Sequence, residues 1–139
     1  MQVRRGFTLI EVLIAAVIAV VVLLGLLAAA LYFERYSVRR ALFHQASNIL
    51  HSKLEAVKSL PYQDVTETKL NNGATDCSDA LTKNFVERTV GSRAYRFGLY
   101  YRVTDNPNYQ VKEVKLTVCW KYRDRLNEIY GDTIVRNRR

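Results

Sequence analysis

The chain has 139 residues, enough for about one domain, and its 21 Lys and Arg against 13 Asp and Glu give a formal net charge of +8. Its 6 Gly and 2 Pro are too few for a disordered or collagen-like chain. Although 49% of the residues are hydrophobic, the mean hydropathy is only −0.12, so the apolar residues are concentrated in one part of the chain.

That part is the N-terminal segment, where the 22 residues from Val12 to Phe33 include no charged side chain. As a helix at 1.5 Å per residue it is about 33 Å long, which matches the roughly 30 Å hydrocarbon thickness of a bilayer. The segment excludes an ordinary soluble domain. Arg4 and Arg5 precede it, and the excess of positive charge on cytoplasmic flanks predicts a single membrane span with a cytoplasmic N-terminus.

Glu11 interrupts the apolar character at the start of this segment. A carboxylate at that depth costs a few kcal/mol unless it is neutral or paired. Two interpretations stay open: the side chain reaches the lipid headgroups from a shallow position, or it takes a cationic partner inside the membrane.

Residues 5–12 read RGFTLIEV, and this octapeptide resembles the processing signature of type IV prepilins and type II secretion pseudopilins. The resemblance implies that a prepilin peptidase cuts between Gly6 and Phe7, and that the new amine of Phe7 is then methylated. It also implies that Glu11, the fifth residue of the mature chain, pairs in a filament with the N-terminal amine of a neighbouring subunit. Loss of the leader, residues 1–6, removes two arginines and lowers the net charge from +8 to +6.

The resemblance further implies the partners and the location of the protein. The expected partners are the peptidase, an inner-membrane assembly platform, the lipid bilayer, and other pilins or pseudopilins bound through the N-terminal helix. The precursor is expected in the bacterial inner membrane with its head in the periplasm, and the mature subunit in a filament. The competing interpretation is a secretory signal peptide cleaved after Ala28–Ala30. The apolar region of a signal peptide spans about 7–15 residues, which is much shorter than the apolar segment of this chain.

The helical pattern continues beyond Phe33 and becomes one-sided between Glu34 and Leu60. Pro61 marks its end, so we predict one helix over 7–60, with Gly25 as a point of bending. The apolar positions recur at three- and four-residue spacing: Val38, Leu42, Ala46, Ile49, Leu50, Leu54, Val57 and Leu60.

The remaining residues, 61–139, predict a head made of a loop and an antiparallel sheet. Residues 62–82 show no strong periodicity and predict a connection, with a turn at 71–73. The expected fold class is α+β and pilin-like: a helix with a transmembrane half, 7–33, and an amphipathic half, 34–60, which packs on the sheet. The predicted strands and turn are Asn84–Val90, Tyr95–Val103, the turn Asp105–Asn108, Val114–Trp120 and Ile129–Val135.

Cys77 and Cys119 are the only cysteines. Alternation along the strand places Cys119 opposite Trp120, on the face that the long helix does not cover. A disulfide would close a loop of about 42 residues and add roughly 4 kcal/mol of stability on the loop-entropy model. The alternative of two unpaired thiols stays open.

The sequence indicates no catalytic or metal-binding constellation, so we expect a non-enzymatic protein without a cofactor. His44 and His51 lie about 10.5 Å apart along one helix, which is too far for one metal ion. Asp76 and Asp79 lack the spacing of a calcium loop and are expected to be solvated. The sequence has no P-loop, and the resemblance implies that a separate cytoplasmic ATPase drives assembly.

A nucleic-acid surface is the less favoured interpretation of four residues of the predicted sheet, Arg93, Arg96, Tyr100 and Arg102. Arginines could bind phosphates and the tyrosine could stack on a base, as in a DNA-binding competence pilin. The favoured interpretation is a solvated sheet face, or one that contacts acidic neighbours in a filament.

The modest head and the order Val118-Cys119-Trp120 before a charged turn resemble minor pilins and minor pseudopilins. We therefore expect a minor pilin subunit of a type IV pilus, of the V type known as type IV pilus modification protein. The alternatives are a minor pseudopilin of a type II secretion system, a DNA-binding competence pilin and, least favoured, a secreted soluble binding protein.

Overall fold

A computed structural model describes residues 8–137, which form one long helix, two short helices, a 3₁₀ helix and four strands. The chain divides into two units, Met1–Ser37 and Val38–Arg139, which are described separately below. Helix α1 spans Leu9–Lys58 and continues through Gly25, so the prediction of a single long helix is confirmed. Phe7, the predicted first helical residue, lies outside the described residues.

Helix α1 ends two residues before the predicted Leu60. The backbone N–H of Ser59 donates to Ala56 O (3.2 Å), and that of Leu60 donates to Val57 O (3.1 Å). These i→i+3 bonds tighten the last turn, and Pro61 has no N–H with which to continue it. Leu60 therefore lies beyond the helix and is 38% exposed instead of contributing to the core.

The four strands form one antiparallel sheet in the order β1-β2-β3-β4, which confirms the predicted α+β class. Every strand but the first is longer than its alternating apolar core predicts, because polar residues at the ends continue the pairing. The strands are β1 (Phe85–Val90), β2 (Arg93–Asn106), β3 (Val111–Tyr122) and β4 (Arg125–Arg136).

The turns explain the longer strands. Strand β2 continues through Asp105, which pairs with Lys112, so the β2–β3 turn occupies 107–110 instead of the predicted 105–108. Strand β4 begins four residues before the predicted Ile129, because Arg123 and Asp124 adopt positive φ angles of 49° and 59°. A two-residue loop with this backbone matches the twist of the flanking strands and starts the pairing at once.

Residues 38–58 of α1 pack on one face of the sheet, and the core lies between them. Phe97 and Trp120 are neighbours there, with ring centroids 6.0 Å apart and an interplanar angle of 44°. The predicted apolar stripe is the buried face of the helix, apart from Val38, which is partly buried, and Leu60. The buried helix residues are Leu42, Ala46, Ile49, Leu50, Leu54 and Val57.

The connection between α1 and β1 is more ordered than the sequence predicts. Between residues 62 and 83 the chain forms three short elements of three, five and seven residues, too short for a hydrophobic period to show. Side-chain caps define the two α-helices: Thr66 accepts from Lys69 N, and Asp76 accepts from Asp79 N. The elements are the 3₁₀ helix Tyr62–Asp64, α2 (Glu67–Asn71) and α3 (Cys77–Lys83).

Helices α2 and α3 lie along the part of β2 that β1 leaves unpaired, since β1 stops at the pair Phe85–Gly98. Asn84 exchanges two hydrogen bonds with the backbone of Leu99, each 2.8 Å long. Farther along, Asn71 bonds the backbone of Tyr101, and a Glu67 carboxylate oxygen accepts from Val103 N at 2.8 Å. Three side chains and the backbone carbonyl of Asn84 thus satisfy the edge of β2 where a strand is absent.

Candidate functional site

The N-terminal end of α1 is closed by a reciprocal pair of side chains, Thr8 and Glu11. Glu11 Oε2 accepts from the backbone N–H of Thr8 (2.8 Å) and from its hydroxyl (2.9 Å), and Thr8 Oγ1 accepts from Glu11 N (3.4 Å). This arrangement is a capping box, in which two orphan donors of the first helical turn find partners in the helix itself. Our sequence interpretation missed it, although Thr-x-x-Glu is the signature of this cap.

Only one carboxylate oxygen takes part in the cap. Both hydrogen bonds end on Oε2, and Oε1 of Glu11 has no partner among residues 8–137. A carboxylate can accept on both oxygens at once. Glu11 can therefore keep its helix cap and also bind a cation.

The apolar part of the helix has all its side chains exposed in the isolated chain. None of the 18 residues in its most apolar window is buried, and the mean hydropathy of that window is 3.2. Among the described residues this is the one helix long and apolar enough to cross a membrane. An apolar surface of this extent is not stable in water and needs a cover of lipid or of other helices. Helix α1 continues through Gly25 without a break. No atom outside the local helix backbone lies within 4 Å of the position that a Cβ would take there.

The predicted processing and topology residues Gly6, Phe7, Arg4 and Arg5 lie outside the described residues, so their roles stay predictions. Of the predicted N-terminal residues, the structure describes Glu11. It is exposed, as is Thr8, at the start of the apolar helix.

Cys77 and Cys119 form a disulfide in the structure, with their Cα atoms 6.0 Å apart. It joins the N-terminal end of α3 to the middle of the sheet. Cys119 lies, as predicted, on the face of the sheet that α1 does not cover; α3 packs on that face, and Cys119 is fully buried. Gly98, the strand partner of Cys119, permits this approach: a Cβ there would lie 2.9 Å from Leu81 N.

The four residues of the predicted nucleic-acid surface do not form one cluster. Arg96, Tyr100 and Arg102 alternate on the outer face of β2, whereas Arg93 belongs to the other set of alternating positions. The side chain of Arg96 is held at the β1 edge, where its Nε lies 3.1 Å from Glu87 Oε1 and its guanidinium lies 4.8 Å from the ring centroid of Phe85.

The charge of this outer face is nearly balanced. Its alternating positions on the four strands carry five basic side chains and four acidic ones, so no strong positive field covers it. Nucleic-acid binding stays a prediction without added support from the sheet. The charged residues at these positions are Glu87, Arg96, Arg102, Glu113, Lys115, Lys121, Glu128, Asp132 and Arg136.

His44 and the loop aspartates form local contacts. His44 Nδ1 lies 3.2 Å from Asn48 Nδ2 one helical turn away. Asp76 caps α3, and Asp79 Oδ2 accepts from Lys83 Nζ (2.8 Å) and from the backbone of Thr75, which together hold the pKa of the Asp79 carboxyl below its ordinary value. Within residues 8–137 no group of three or more potential ligands can hold a metal ion.

Lys112, which no sequence pattern singles out, is a buried lysine at the end of the sheet beside Tyr62. Its ammonium donates to the carbonyls of Tyr62 (3.0 Å) and Val65 (2.9 Å) and lies 4.5 Å from the ring centroid of Tyr62. The Tyr62 hydroxyl donates to Asp105 Oδ1 at 2.9 Å, and partial desolvation together with this carboxylate raises the pKa of Tyr62. These bonds hold the chain after α1 against the sheet.

A shallow cleft of about 690 Å³ lies next to this lysine, between the end of α1 and the end of β4. It is lined by Lys58, Ser59, Leu60, Pro61, Tyr62, Gln63, Ile134, Val135, Arg136 and Asn137. No carboxylate, imidazole or thiol is among these lining residues.

Comparison with known proteins identifies the N-terminal segment. A family model described as the prokaryotic N-terminal methylation motif matches residues 1–32. The match includes the octapeptide at 5–12 and supports a type IV pilin-like or pseudopilin-like protein in general, a structural subunit anchored by its apolar helix. No curated protein matches the chain, and no solved structure does.

Proposed function

We propose that this chain is a minor pilin of a type IV pilus, made as an inner-membrane precursor and assembled through its N-terminal helix. The observation that carries the proposal is the methylation motif over residues 1–32, which includes most of the apolar segment of α1, where every side chain from 9 to 33 is exposed. Such a helix needs the bilayer before assembly and a bundle of similar helices afterwards. The head, with its own core over residues 38–137, then lies in the periplasm.

Processing between Gly6 and Phe7 by the prepilin peptidase is the first step of this proposal. It leaves a methylated amine that remains cationic and stands four residues before Glu11. In the filament, the amine of one subunit binds Glu11 of its neighbour. Oε1 of Glu11, which has no partner within the part of the chain that the structure describes, supports this pairing, because it can accept the amine while Oε2 keeps the cap with Thr8.

This charge pair would set the axial register of the subunit. An unmatched charge in an apolar surrounding is expensive, so positions that bring amine and carboxylate together are strongly preferred. A minor pseudopilin of a type II secretion system is the alternative with the same processing and the same pairing. The two differ in the assembly platform and in the filament that takes up the subunit.

The processing step is tested by the intact mass and N-terminal sequence of the protein isolated from cells with and without prepilin peptidase. We expect a chain that begins at N-methylated Phe7 when the peptidase is present, and the full precursor when it is absent. A product that keeps residues 1–6 in both strains, or that begins after Ala28–Ala30, would contradict the proposal.

The pairing step is tested with Glu11→Gln, which keeps the size of the side chain and removes its charge. Membrane insertion should be unchanged, and incorporation into sheared fibres should fall by at least about tenfold, since more than 1.4 kcal/mol of pairing is lost. Glu34→Gln, at the other end of the apolar segment, is the matched control and should assemble normally. Normal incorporation of the Glu11→Gln variant into fibres would contradict the charge-pairing mechanism.

A further inference from the structure

The last strand, β4, is an open edge of the sheet. It pairs with β3 over 12 consecutive residue pairs, with no bulge or proline to interrupt it. Among residues 8–137, no backbone bond beyond the β3 pairing reaches Arg125–Arg136, and the only side-chain bond to its backbone is the local one from Asn127 Nδ2 to Arg125 O. A row of unpaired main-chain groups of this kind is a template for another strand.

The contrast with β2 makes this edge notable. Where β2 lacks a neighbouring strand, the side chains of Asn84, Asn71 and Glu67 take up its main-chain groups. No comparable cover protects β4 in the described part of the chain. Proteins usually blunt such edges with bulges, prolines, charged side chains or covering elements, and of these β4 carries the charges of Arg125, Glu128, Asp132 and Arg136.

The outer side of β4 also carries a regular pattern of side chains. Leu126, Tyr130 and Ile134 are 47%, 67% and 56% exposed and alternate with the carboxylates of Glu128 and Asp132. Neither carboxylate forms an ion pair within residues 8–137. Lys115, the register partner of Asp132, instead places its ammonium 4.3 Å from the ring centroid of Tyr130.

We propose that β4 binds an extended segment of another protein, added as a fifth strand, with apolar side chains facing Leu126, Tyr130 and Ile134 and lysine or arginine facing Glu128 and Asp132. The backbone supplies the affinity of such an addition, and the alternating side chains supply its specificity. This docking edge lies in the head and does not depend on the proposed filament role.

Charge complementarity favours a basic partner strand over a second copy of this chain. Antiparallel pairing of two β4 strands about Tyr130 would place Glu128 of each copy opposite Asp132 of the other. Like charges directly opposite in a sheet are destabilising. From Leu126 to Ile134, the outer side chains of β4 are in turn apolar, acidic, apolar, acidic and apolar, an order that is the same in both directions. A segment that alternates apolar and basic residues can therefore match it in a parallel or an antiparallel orientation.

The test uses the full chain in phosphatidylcholine nanodiscs and two fluorescent nine-residue peptides. The basic probe is Val-Thr-Lys-Thr-Val-Thr-Lys-Thr-Val, and the acidic probe has glutamate at both lysine positions. Fluorescence anisotropy gives the two dissociation constants, and amide hydrogen exchange identifies the protected strand. The variant Glu128→Lys/Asp132→Lys is compared with Glu87→Lys/Glu113→Lys, which changes the net charge equally at other exposed sites on the same face.

We expect the basic probe to bind about tenfold more tightly than the acidic one and to slow exchange within 125–136. The Glu128/Asp132 variant should reverse this preference, and the control variant should keep it. Equal affinity for both probes, protection outside β4, or the same loss in the control variant would overturn the proposal. If the protein forms concentration-dependent dimers and the amides of β4 are protected from exchange without peptide, a basic partner strand is contradicted, and the edge binds a second copy of the chain.

Discussion

The side chain of Asn71 occupies the place of a missing strand beside Tyr101. Its Oδ1 accepts from Tyr101 N at 2.6 Å, and its Nδ2 donates to Tyr101 O at 2.8 Å, so one amide reproduces both bonds of a strand pair. The amide is buried and distant in sequence from its partner, which makes it a tertiary link between α2 and the sheet.

Replacing this amide should destabilise the head. Asn71→Ala leaves a buried N–H and a buried C=O of Tyr101 without partners, and we expect a loss of about 2–4 kcal/mol in the free energy of unfolding. Urea titration followed by Trp120 fluorescence measures it. Asn48→Ala, on the exposed side of α1, is the control and should change stability by less than about 0.5 kcal/mol.

The disulfide should contribute strongly to stability. Closure of a 42-residue separation predicts a loss of about 4 kcal/mol when Cys77 and Cys119 are both replaced by alanine. Reduction of the wild type should lower its urea midpoint, whereas the double variant should not respond to reductant. Thiol titration of unreduced, denatured protein should find no free thiol, and two titratable thiols would refute the bridge.

Substitution of Gly98 by alanine is expected to lower the stability of the head more than the same substitution of Gly131. A Cβ at Gly98 would meet the backbone of Leu81 at 2.9 Å, so Gly98→Ala should displace α3 and cost about 1–3 kcal/mol. At Gly131 the nearest atom is the end of a Leu54 side chain at 3.2 Å, which can move. A Gly98→Ala protein as stable as Gly131→Ala in the same urea titration would contradict this packing.

Tyr101 should make the head sensitive to alkali. Burial raises the pKa of its hydroxyl to about 12, above the ordinary value of 10.0, so the unfolded state releases this proton first. The neutral tyrosine stabilises the fold fully below pH 10, and this contribution is lost as the pH rises towards 12, by up to about 3 kcal/mol. Tyr101→Phe should therefore lose less stability than the wild type between pH 9.5 and 11.5, and parallel pH profiles would contradict the assignment.

Elements with a strong local signal were predictable from the sequence. The uncharged run and the three- and four-residue spacing predicted α1 through Gly25, and alternation such as Val114, Leu116 and Val118 predicted the sheet. The octapeptide at 5–12 predicted the segment that the methylation motif matches.

Elements stabilised by distant side chains were not predictable in the same way. Helices α2 and α3 depend on caps and on bonds from Asn71 and Asn84 to β2, which no periodicity reveals. Alternation along β3 predicted that Cys119 faces away from α1, but it did not predict the helix α3 that covers this face. The β2–β3 turn moved by two residues because Asp105 both pairs with Lys112 and accepts from Tyr62.

The Thr8–Glu11 cap was present in the sequence as a local pattern and was still overlooked. A carboxylate next to an apolar segment suggests the lipid headgroups or a cation of another chain as its partner, whereas the partner observed is Thr8, three residues away. For residues near helix ends, local capping needs to be examined before long-range pairing.

The covalent ring formed by Cys77 and Cys119 encloses α3, β1, β2 and most of β3, and it leaves α1 and β4 outside. A proteolytic cut within the ring releases no fragment until the disulfide is reduced. A cut after Arg123, in the tight β3–β4 loop, separates the whole final strand, which noncovalent contacts alone then retain. The disulfide therefore keeps the middle of the chain together after a proteolytic cut, whereas the carboxyl-terminal strand has no such covalent protection.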